Sequence, residues 1–116
     1  MNTRGEKIRK ALIREISDVI QHGLKDPRIT GIISVTDVEL SPDYRYAKVF
    51  ISIYGDEEKK QTIMEALADA AYAIRKEVGK RIRTRHIPEL TFFLDESLEK
   101  GKKIEDLLDK ISRGEV

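Results

Sequence analysis

Apolar residues return every three or four positions near the start of the chain, over roughly residues 4 to 23. Ile8, Leu12, Ile16 and Val19 fall on one side of a helix with this period, and charged residues occupy the other side. The spacing predicts an amphipathic helix with a buried apolar stripe. A glycine and a Lys-Asp-Pro stretch follow, and they end the helix.

The apolar period then changes from helical to alternating, which predicts two strands joined as a hairpin. The first strand spans residues 33 to 40 and the second residues 46 to 53, and Ser41-Pro42-Asp43 between them favours a tight type I turn. The alternation changes phase across Thr36-Asp37, which predicts a β-bulge at that point. The hairpin therefore presents one apolar face to a core.

The other face of the second strand is aromatic and basic. It carries Tyr46, Lys48 and Phe50, and Tyr54 follows with the same alternation. Two interpretations are open for its aromatic residues. They pack against a terminal helix, which is the more common use of such residues, or they stack on the unpaired bases of a nucleic acid.

A second helical pattern is unusually long and covers residues 57 to 85. A straight helix of that length would measure about 43 Å, whereas a compact domain of this size has a diameter of about 35 Å. The helix should therefore overhang the domain or bend. The places where it can bend are the small-residue stretch from Ala68 to Ala73 and Gly79.

Two further elements are predicted beyond the long helix. Leu90, Phe92 and Leu94 alternate with other residues as in a third strand. A last helix follows residue 97, with apolar positions at Leu98, Ile104, Leu107, Leu108 and Ile111. The predicted fold is α+β, with helices covering one face of a three-stranded sheet.

The chain of 116 residues is highly charged but almost neutral overall, with 22 Lys and Arg against 21 Asp and Glu. A net charge of +1 argues against a protein that binds nucleic acid through its overall basicity. The charge is unevenly distributed, however. Residues 75 to 86 contain six cations and one carboxylate, and residues 1 to 28 are also basic, so two helices are cationic while the other segments are acidic.

Lys76, Lys80 and Arg83 are spaced so that they share one helix face, and Tyr72 lies one turn earlier on nearly the same line. Such a stripe can contact phosphates through its cations and an unpaired base through its tyrosine. The alternative is a solvated helix end whose cations complement the helix dipole. Six cations in twelve residues exceed what the dipole requires, so the cluster favours nucleic acid.

Candidate catalytic groups are few. His22 and His86 are the only histidines, and neither is spaced to a metal ligand or a nucleophile. The chain has no cysteine, its seven glycines form no phosphate-binding loop, and no apolar run is long enough to span a bilayer. We therefore expect a cytoplasmic protein with no catalytic residue, no metal site and no cofactor.

Several short segments follow one another along nearly the whole chain and carry a resemblance. They are Arg4-Gly5-Glu6-Lys7-Ile8, the run from Ile33 to Asp43, Ala47-Lys48-Val49, the run from Ile74 to Arg85, Pro88-Glu89-Leu90-Thr91-Phe92, Asp95-Glu96-Ser97 and Ile104-Glu105-Asp106-Leu107-Leu108. Each segment is modest alone, but the ordered set is highly specific. Together they resemble the bacterial ribosome-binding factor A family.

The resemblance implies a type II KH-like domain with the order αββααβ over residues 1–96, followed by a C-terminal helical extension over residues 97–116. The usual glycine loop is replaced by a helix-kink-helix, which falls at Ala70 and Ala71. Tyr72 stands where the family often has glycine. A positive φ at that position would strain a tyrosine.

The resemblance also implies a non-enzymatic assembly factor. Members of the family bind the immature small (30S) ribosomal subunit and assist late maturation and 5′-end processing of 16S rRNA, chiefly in the cold. The expected partners are that subunit and its rRNA, with an assembly GTPase as a further partner, no membrane, and a monomeric state away from the ribosome. The residues expected to contact RNA are Arg75, Lys76, Lys80, Arg81, Arg83, Arg85, Lys7, Lys10, Arg14 and Tyr72.

A runner-up function comes from another class of protein. In this alternative the chain is a protein-interaction module that docks on a ribosomal protein or an assembly GTPase through its acidic terminal helix, and the basic stripe is merely solvated. Salt separates the two, because binding through about six phosphates weakens steeply as salt rises and protein docking does not.

Overall fold

The computed structural model describes residues 3–84 and 86–114. Its elements are α1 (Thr3–Asp18), a π-helical turn that extends α1 (Val19–Gly23), β1 (Ile33–Leu40), β2 (Tyr46–Ile53), α2 (Glu57–Arg81), β3 (Glu89–Leu94) and α3 (Ser97–Ser112). The order and type of the predicted elements are confirmed. The long helix is shorter than predicted, because it ends at Arg81 and not at residue 85.

The three strands form one sheet in the order β1-β2-β3, with β1 antiparallel and β3 parallel to the central strand. The hairpin turn forms as predicted, since the Tyr44 N–H donates to the Ser41 carbonyl at 3.0 Å. The β-bulge is also confirmed: the register of β1 against β2 shifts between Val35 and Asp37. Thr36 is therefore the extra residue, and the apolar positions on both sides of it face the core.

α1 and α2 pack on the same face of the sheet and enclose a single core. The apolar stripe of α1 is buried as predicted, as are the apolar positions of α2 and the inner face of the sheet. The residues at the centre of this core are Leu12, Ile16, Val19, Val38, Val49, Ile51, Ile63, Leu67, Ile74 and Val78. The fold is thus two-layered and α+β, and the opposite face of the sheet carries neither α1 nor α2.

α2 corrects one expectation about the shape of the molecule. Its helical hydrogen bonding continues from Glu57 to Arg81 without interruption at Ala70 or Ala71. Tyr72 needs no left-handed backbone, because the only described non-glycine residue with a positive φ is Tyr44. One continuous helix therefore replaces the two helices that were expected. A bend at Ala70 and Ala71 without a break in the helix stays a prediction.

The molecule is elongated, and its long helix runs through it without a break. A helix of 25 residues measures about 37 Å, and the molecule extends 58 Å along its longest axis. The radius of gyration is 16.8 Å, whereas about 13 Å is usual for a compact domain of this length. α3 contributes to this length, since none of its described side chains belongs to the buried core.

α3 is attached to the rest of the protein at its first turn. The Lys60 ammonium lies 2.8 Å from both carboxylate oxygens of Glu99 and 3.6 Å from Glu57. Asp95 prepares the start of the helix, because it accepts hydrogen bonds from the Thr36 hydroxyl at 2.6 Å and from the Ser97 N–H at 2.9 Å. The Thr36 hydroxyl is the main reason that the pKa of Asp95 is lowered.

The rest of α3 leaves three apolar side chains in solvent. Leu107, Leu108 and Ile111 are each more than half exposed. The expectation that a terminal helix covers the aromatic face of the sheet is wrong for Tyr46 and Tyr54, which are 57% and 75% exposed. Phe50 finds a partner within the sheet instead, because its ring lies 5.8 Å from that of Phe93 on β3.

Candidate nucleic-acid interface

The outer sides of α1 and α2 form one continuous surface, which we call the helical surface. Both helices lie on the same face of the sheet and contact each other. Side chains on either helix that point away from the sheet therefore lie on the same side of the molecule. The described residues that form this surface are Lys7, Lys10 and Arg14 on α1 and Tyr72, Lys76 and Lys80 on α2, all of which are exposed.

Most cations of the helical surface are available to a ligand. Lys7, Lys10 and Lys76 have no carboxylate partner within the part of the chain that the structure describes. Arg14 and Lys80 have only local partners, Glu15 at 3.2 Å and Glu77 at 3.5 Å. Exposed ion pairs of this kind are worth little, so a phosphate can replace them at small cost.

Tyr72 is the one aromatic residue of the helical surface. Its side chain is 74% exposed on α2, one turn before Lys76. A tyrosine so placed can stack on an unpaired base while the neighbouring lysine contacts a phosphate. The structure therefore keeps the predicted arrangement of Tyr72, Lys76 and Lys80 on one helix face.

Arg81 is held in place by α1. Its guanidinium donates to Asp18 and lies 3.6 Å from Glu15 and from Glu77. The hydrogen bond to Asp18 raises the pKa of Arg81, and the same bond is the main cause of the lowered pKa of Asp18. Arg81 thus joins the last turn of α2 to the end of α1, and less of its charge remains for RNA than the sequence suggested.

Arg75 holds the segment between α2 and β3. Its Nε and Nη2 donate to the carbonyl oxygen of Ile87, at 3.1 and 2.9 Å. This partner is neutral, so the positive charge of Arg75 is not cancelled by it. Arg75 therefore has a structural contact and keeps a charge that can attract a phosphate.

Arg83 is not on the helix face where the sequence placed it. α2 ends at Arg81, and Ile82 already has an extended backbone with ψ of 126°. Arg83 is exposed in the segment that follows, so its predicted alignment with Lys76 and Lys80 is wrong. Pro88 lies six residues after Ile82, and a short extended connection replaces the last predicted turn. Arg85 lies outside the described residues.

Sequence reasoning missed Arg4 and Arg45 as candidate site residues, and it named Tyr46 only as one of the aromatic residues of the sheet. Arg4, Arg45 and Tyr46 meet at a groove where the hairpin turn approaches the start of α1. The missed signal is local: Arg45 stands between Tyr44 and Tyr46, and sites for single-stranded nucleic acid combine cations that contact the backbone with aromatic side chains that stack on bases. Residues 44–46 are distant from both basic helices along the chain, so the sequence did not show that they lie near Arg4.

The described residues contain neither a cluster of metal ligands nor a membrane-spanning helix. Among them, no three or more His, Cys, Asp or Glu side chains are grouped so that they could hold a metal ion. No described helix combines the length and the apolar character that crossing a membrane requires.

The fold and the surface define the class of protein: a small α+β, KH-like domain that presents cations from two neighbouring helices. A family model described as ribosome-binding factor A matches residues 4–108. The ribosome-binding factor A of Clostridium beijerinckii is 47% identical over 114 residues, which cover 97% of this chain and 97% of the relative. The chain belongs to the ribosome-binding factor A family.

Solved structures agree with this assignment. The crystal structure of ribosome-binding factor A from Thermus thermophilus superposes with a TM-score of 0.67 at 28% identity, over 77% of this chain and 92% of that one. Coordinates of the T. thermophilus factor fitted into a cryo-EM map of its complex with the 30S subunit match with a TM-score of 0.63 at 28% identity. They cover 76% of this chain and 91% of that one.

Proposed function

We propose that this protein binds the immature small ribosomal subunit through rRNA and assists its late maturation. The observation that carries the proposal is the helical surface, where Lys7, Lys10 and Lys76 have no carboxylate partner among the described residues. The T. thermophilus relative is described in complex with the 30S subunit, which supports the same partner here. In this proposal residues 1–96 are the RNA-binding domain and residues 97–116 are the C-terminal extension, whose described helix is Ser97–Ser112.

The protein acts by differential binding and not by catalysis. A factor that binds one of several competing RNA folds more tightly shifts the population towards that fold. Phosphate contacts from the two helices supply most of the affinity and set the orientation of the protein on the RNA. The favoured fold permits 5′-end processing of 16S rRNA. The benefit is largest in the cold, where mispaired RNA helices melt slowly, and the protein works in the cytoplasm.

Binding to purified immature 30S particles at increasing salt tests this proposal. With about five phosphate contacts, the logarithm of the binding constant should fall with the logarithm of the salt concentration with a slope of about −4. The double variant Lys76→Glu, Lys80→Glu should bind much more weakly and lower the magnitude of that slope by about 2. Retained binding by this folded variant would remove the helical surface from the proposal.

A matched control uses lysines of the extension. Lys100→Glu with Lys103→Glu makes the same change of charge on exposed residues of α3. This control should bind 30S particles as the unchanged protein does. Equal loss in both double variants would mean that net charge alone, and not the helical surface, controls binding.

The exposed apolar residues of α3 favour a second candidate function, docking on a ribosomal protein or an assembly GTPase. Leu107, Leu108 and Ile111 are available for such a contact. The helix itself is not acidic, because Ser97–Ser112 contains four lysines and four acidic residues. The variant Leu107→Ser, Leu108→Ser separates the functions: it should abolish a protein contact and leave salt-dependent binding to naked rRNA unchanged.

A further inference from the structure

A groove opens next to the helical surface, between the first turn of α1, the hairpin turn and the segment that joins α2 to β3. Its volume is about 530 Å³, within the range of pockets that hold small organic ligands. Arg4 and Ile8 line it from α1, Arg45 and Tyr46 from the hairpin, and Pro88 from the connecting segment. Residues distant in sequence thus build one concave site.

The guanidinium groups around the groove have few carboxylate partners. The Arg4 guanidinium has no ion pair or hydrogen bond to any residue that the structure describes. Arg45 is 78% exposed at its side chain and approaches Asp43 only to 4.0 Å. Arg75 donates to a neutral backbone carbonyl and keeps its charge. Three positively charged side chains therefore line the same groove.

Two carboxylates also line the groove and offset part of this positive charge. Asp43 belongs to the turn, because it accepts hydrogen bonds from the Ser41 hydroxyl at 2.7 Å and from the Arg45 N–H at 3.1 Å. Glu89 begins β3 and is exposed at the rim, where its N–H donates to the Arg45 carbonyl at 2.8 Å. The cations outnumber the carboxylates in this groove.

The remaining walls suit a flat aromatic group. The half-buried Ile8 and Ile87 supply apolar surface, and Tyr46 adds a ring that is 57% exposed. Tyr44 also lines the groove and has a φ of 61°. The left-handed region is uncommon for a tyrosine, and residues held in such conformations cluster at binding sites.

We propose that this groove binds one unpaired RNA nucleotide, with the phosphate among Arg4, Arg45 and Arg75 and the base between Tyr46 and the apolar wall. A free anion would use only the cations, and an acidic peptide would leave the aromatic wall unused. The proposal rests on the proposed function and extends it, because it gives the bound RNA a fixed point beside the helical surface. The groove therefore selects RNA that has an extruded base over a helix of fully paired RNA.

Titration of the full chain with uridine and adenosine monophosphates, followed by NMR, tests the proposal. Saturable shifts should appear at the methyl groups of Ile8 and Ile87 and at the ring of Tyr46. Ribose 5-phosphate and inorganic phosphate should shift the arginine signals only. Shifts that are the same with phosphate as with the nucleotides, or that do not saturate, would overturn the proposal.

Matched tyrosine variants separate stacking from general effects. Tyr46→Ala should raise the dissociation constant of the nucleotide by about fivefold, the lower end of what removal of a stacked aromatic residue produces. Tyr54→Ala removes another exposed tyrosine outside the groove and should change nothing. Equal effects of both variants, or a stronger and identically placed response to a polyglutamate peptide, would contradict a nucleotide site.

The outcome remains distinguishable from failure of the proposed function. If nucleotides do not bind while 30S binding keeps its steep salt dependence and its sensitivity to Lys76→Glu, only the groove proposal is lost. If 30S binding ignores salt and the helical variants, the proposed function is lost whatever the nucleotides do.

Discussion

α2 and α3 are both amphipathic helices, yet their apolar residues meet opposite fates. Leu67 on α2 is completely buried in the core, whereas Leu108 on α3 is 59% exposed. α3 is attached to Lys60 through Glu99 in its first turn, and the rest of the helix extends away from the sheet. The same helical spacing thus produces a core element in one case and an available surface in the other.

The difference shows what the periodic spacing of apolar residues along a helix can and cannot predict. The spacing of apolar residues determines which face of a helix is apolar. It does not determine whether that face meets the same chain or another molecule. For α2 the sheet supplies a matching apolar face, while for α3 no described element of the chain lies against Leu107, Leu108 and Ile111.

The largest expected effect comes from truncating one leucine in each helix. Leu67→Ala removes a fully buried side chain, so the free energy of unfolding should fall by about 2 to 5 kcal/mol. Leu108→Ala should change it by less than about 0.5 kcal/mol. Urea unfolding followed by circular dichroism measures both. Similar losses in the two variants would show that α3 packs on the body in solution.

Acid should weaken the body of the protein through its aspartates. The pKa values of Asp18 and Asp95 are lowered in the folded protein, by Arg81 and by the Thr36 hydroxyl. A group of this kind stabilises the fold above its unfolded pKa, about 3.9 for aspartate, and loses that contribution as pH falls through the lower folded value. The urea concentration at the midpoint of unfolding should therefore decrease as the pH is lowered below about 4.

The variant Asp18→Asn identifies the share of this effect that belongs to the α1–α2 contact. It should be less stable than the unchanged protein at neutral pH and should lose less stability on acidification. An unchanged acid profile would mean that the contact of Asp18 with Arg81 does not form in solution.

A smaller effect should distinguish the paired arginine from the unpaired lysine on α2. Arg81→Gln breaks contacts with Asp18, Glu15 and Glu77, so the urea midpoint should fall measurably, and less at high salt because salt screens the contact. Lys76→Gln breaks no ion pair among the described residues and should leave the midpoint unchanged. The opposite ranking would reverse the structural and RNA-contacting roles given to these residues.

The smallest effect concerns the attachment of α3. Glu99→Gln removes a carboxylate from the nearly buried Lys60, so hydrogen exchange should accelerate at the backbone amides of the first turns of α3. The midpoint of global unfolding should move less than the exchange rates, because Glu57 still lies 3.6 Å from the Lys60 ammonium and no described side chain of α3 belongs to the core. Glu105→Gln, further along the same helix, serves as the control and should leave exchange unchanged.

Much of the fold could be predicted from the sequence, because its elements follow local rules. The phase change at Thr36 predicted the bulge, and the Ser-Pro-Asp order predicted the turn. The end of α2 was harder, because an arginine-rich segment favours helix while Pro88 and the connection to β3 require an extended chain. Arg81 shows the limit for the site: its three acidic partners lie on two helices, and no sequence spacing relates it to Asp18.

The bulge at Thr36 also interrupts one of the two edges of the sheet. β1 is an edge strand, and an unpaired edge is a template on which a second chain can add a strand. The shift divides β1 into paired runs of three and four residues, and Arg9 places its charge on Asp37 at the break, at 2.6 Å. An incoming strand therefore meets no continuous ladder at β1, which makes this edge a poor template for strand addition.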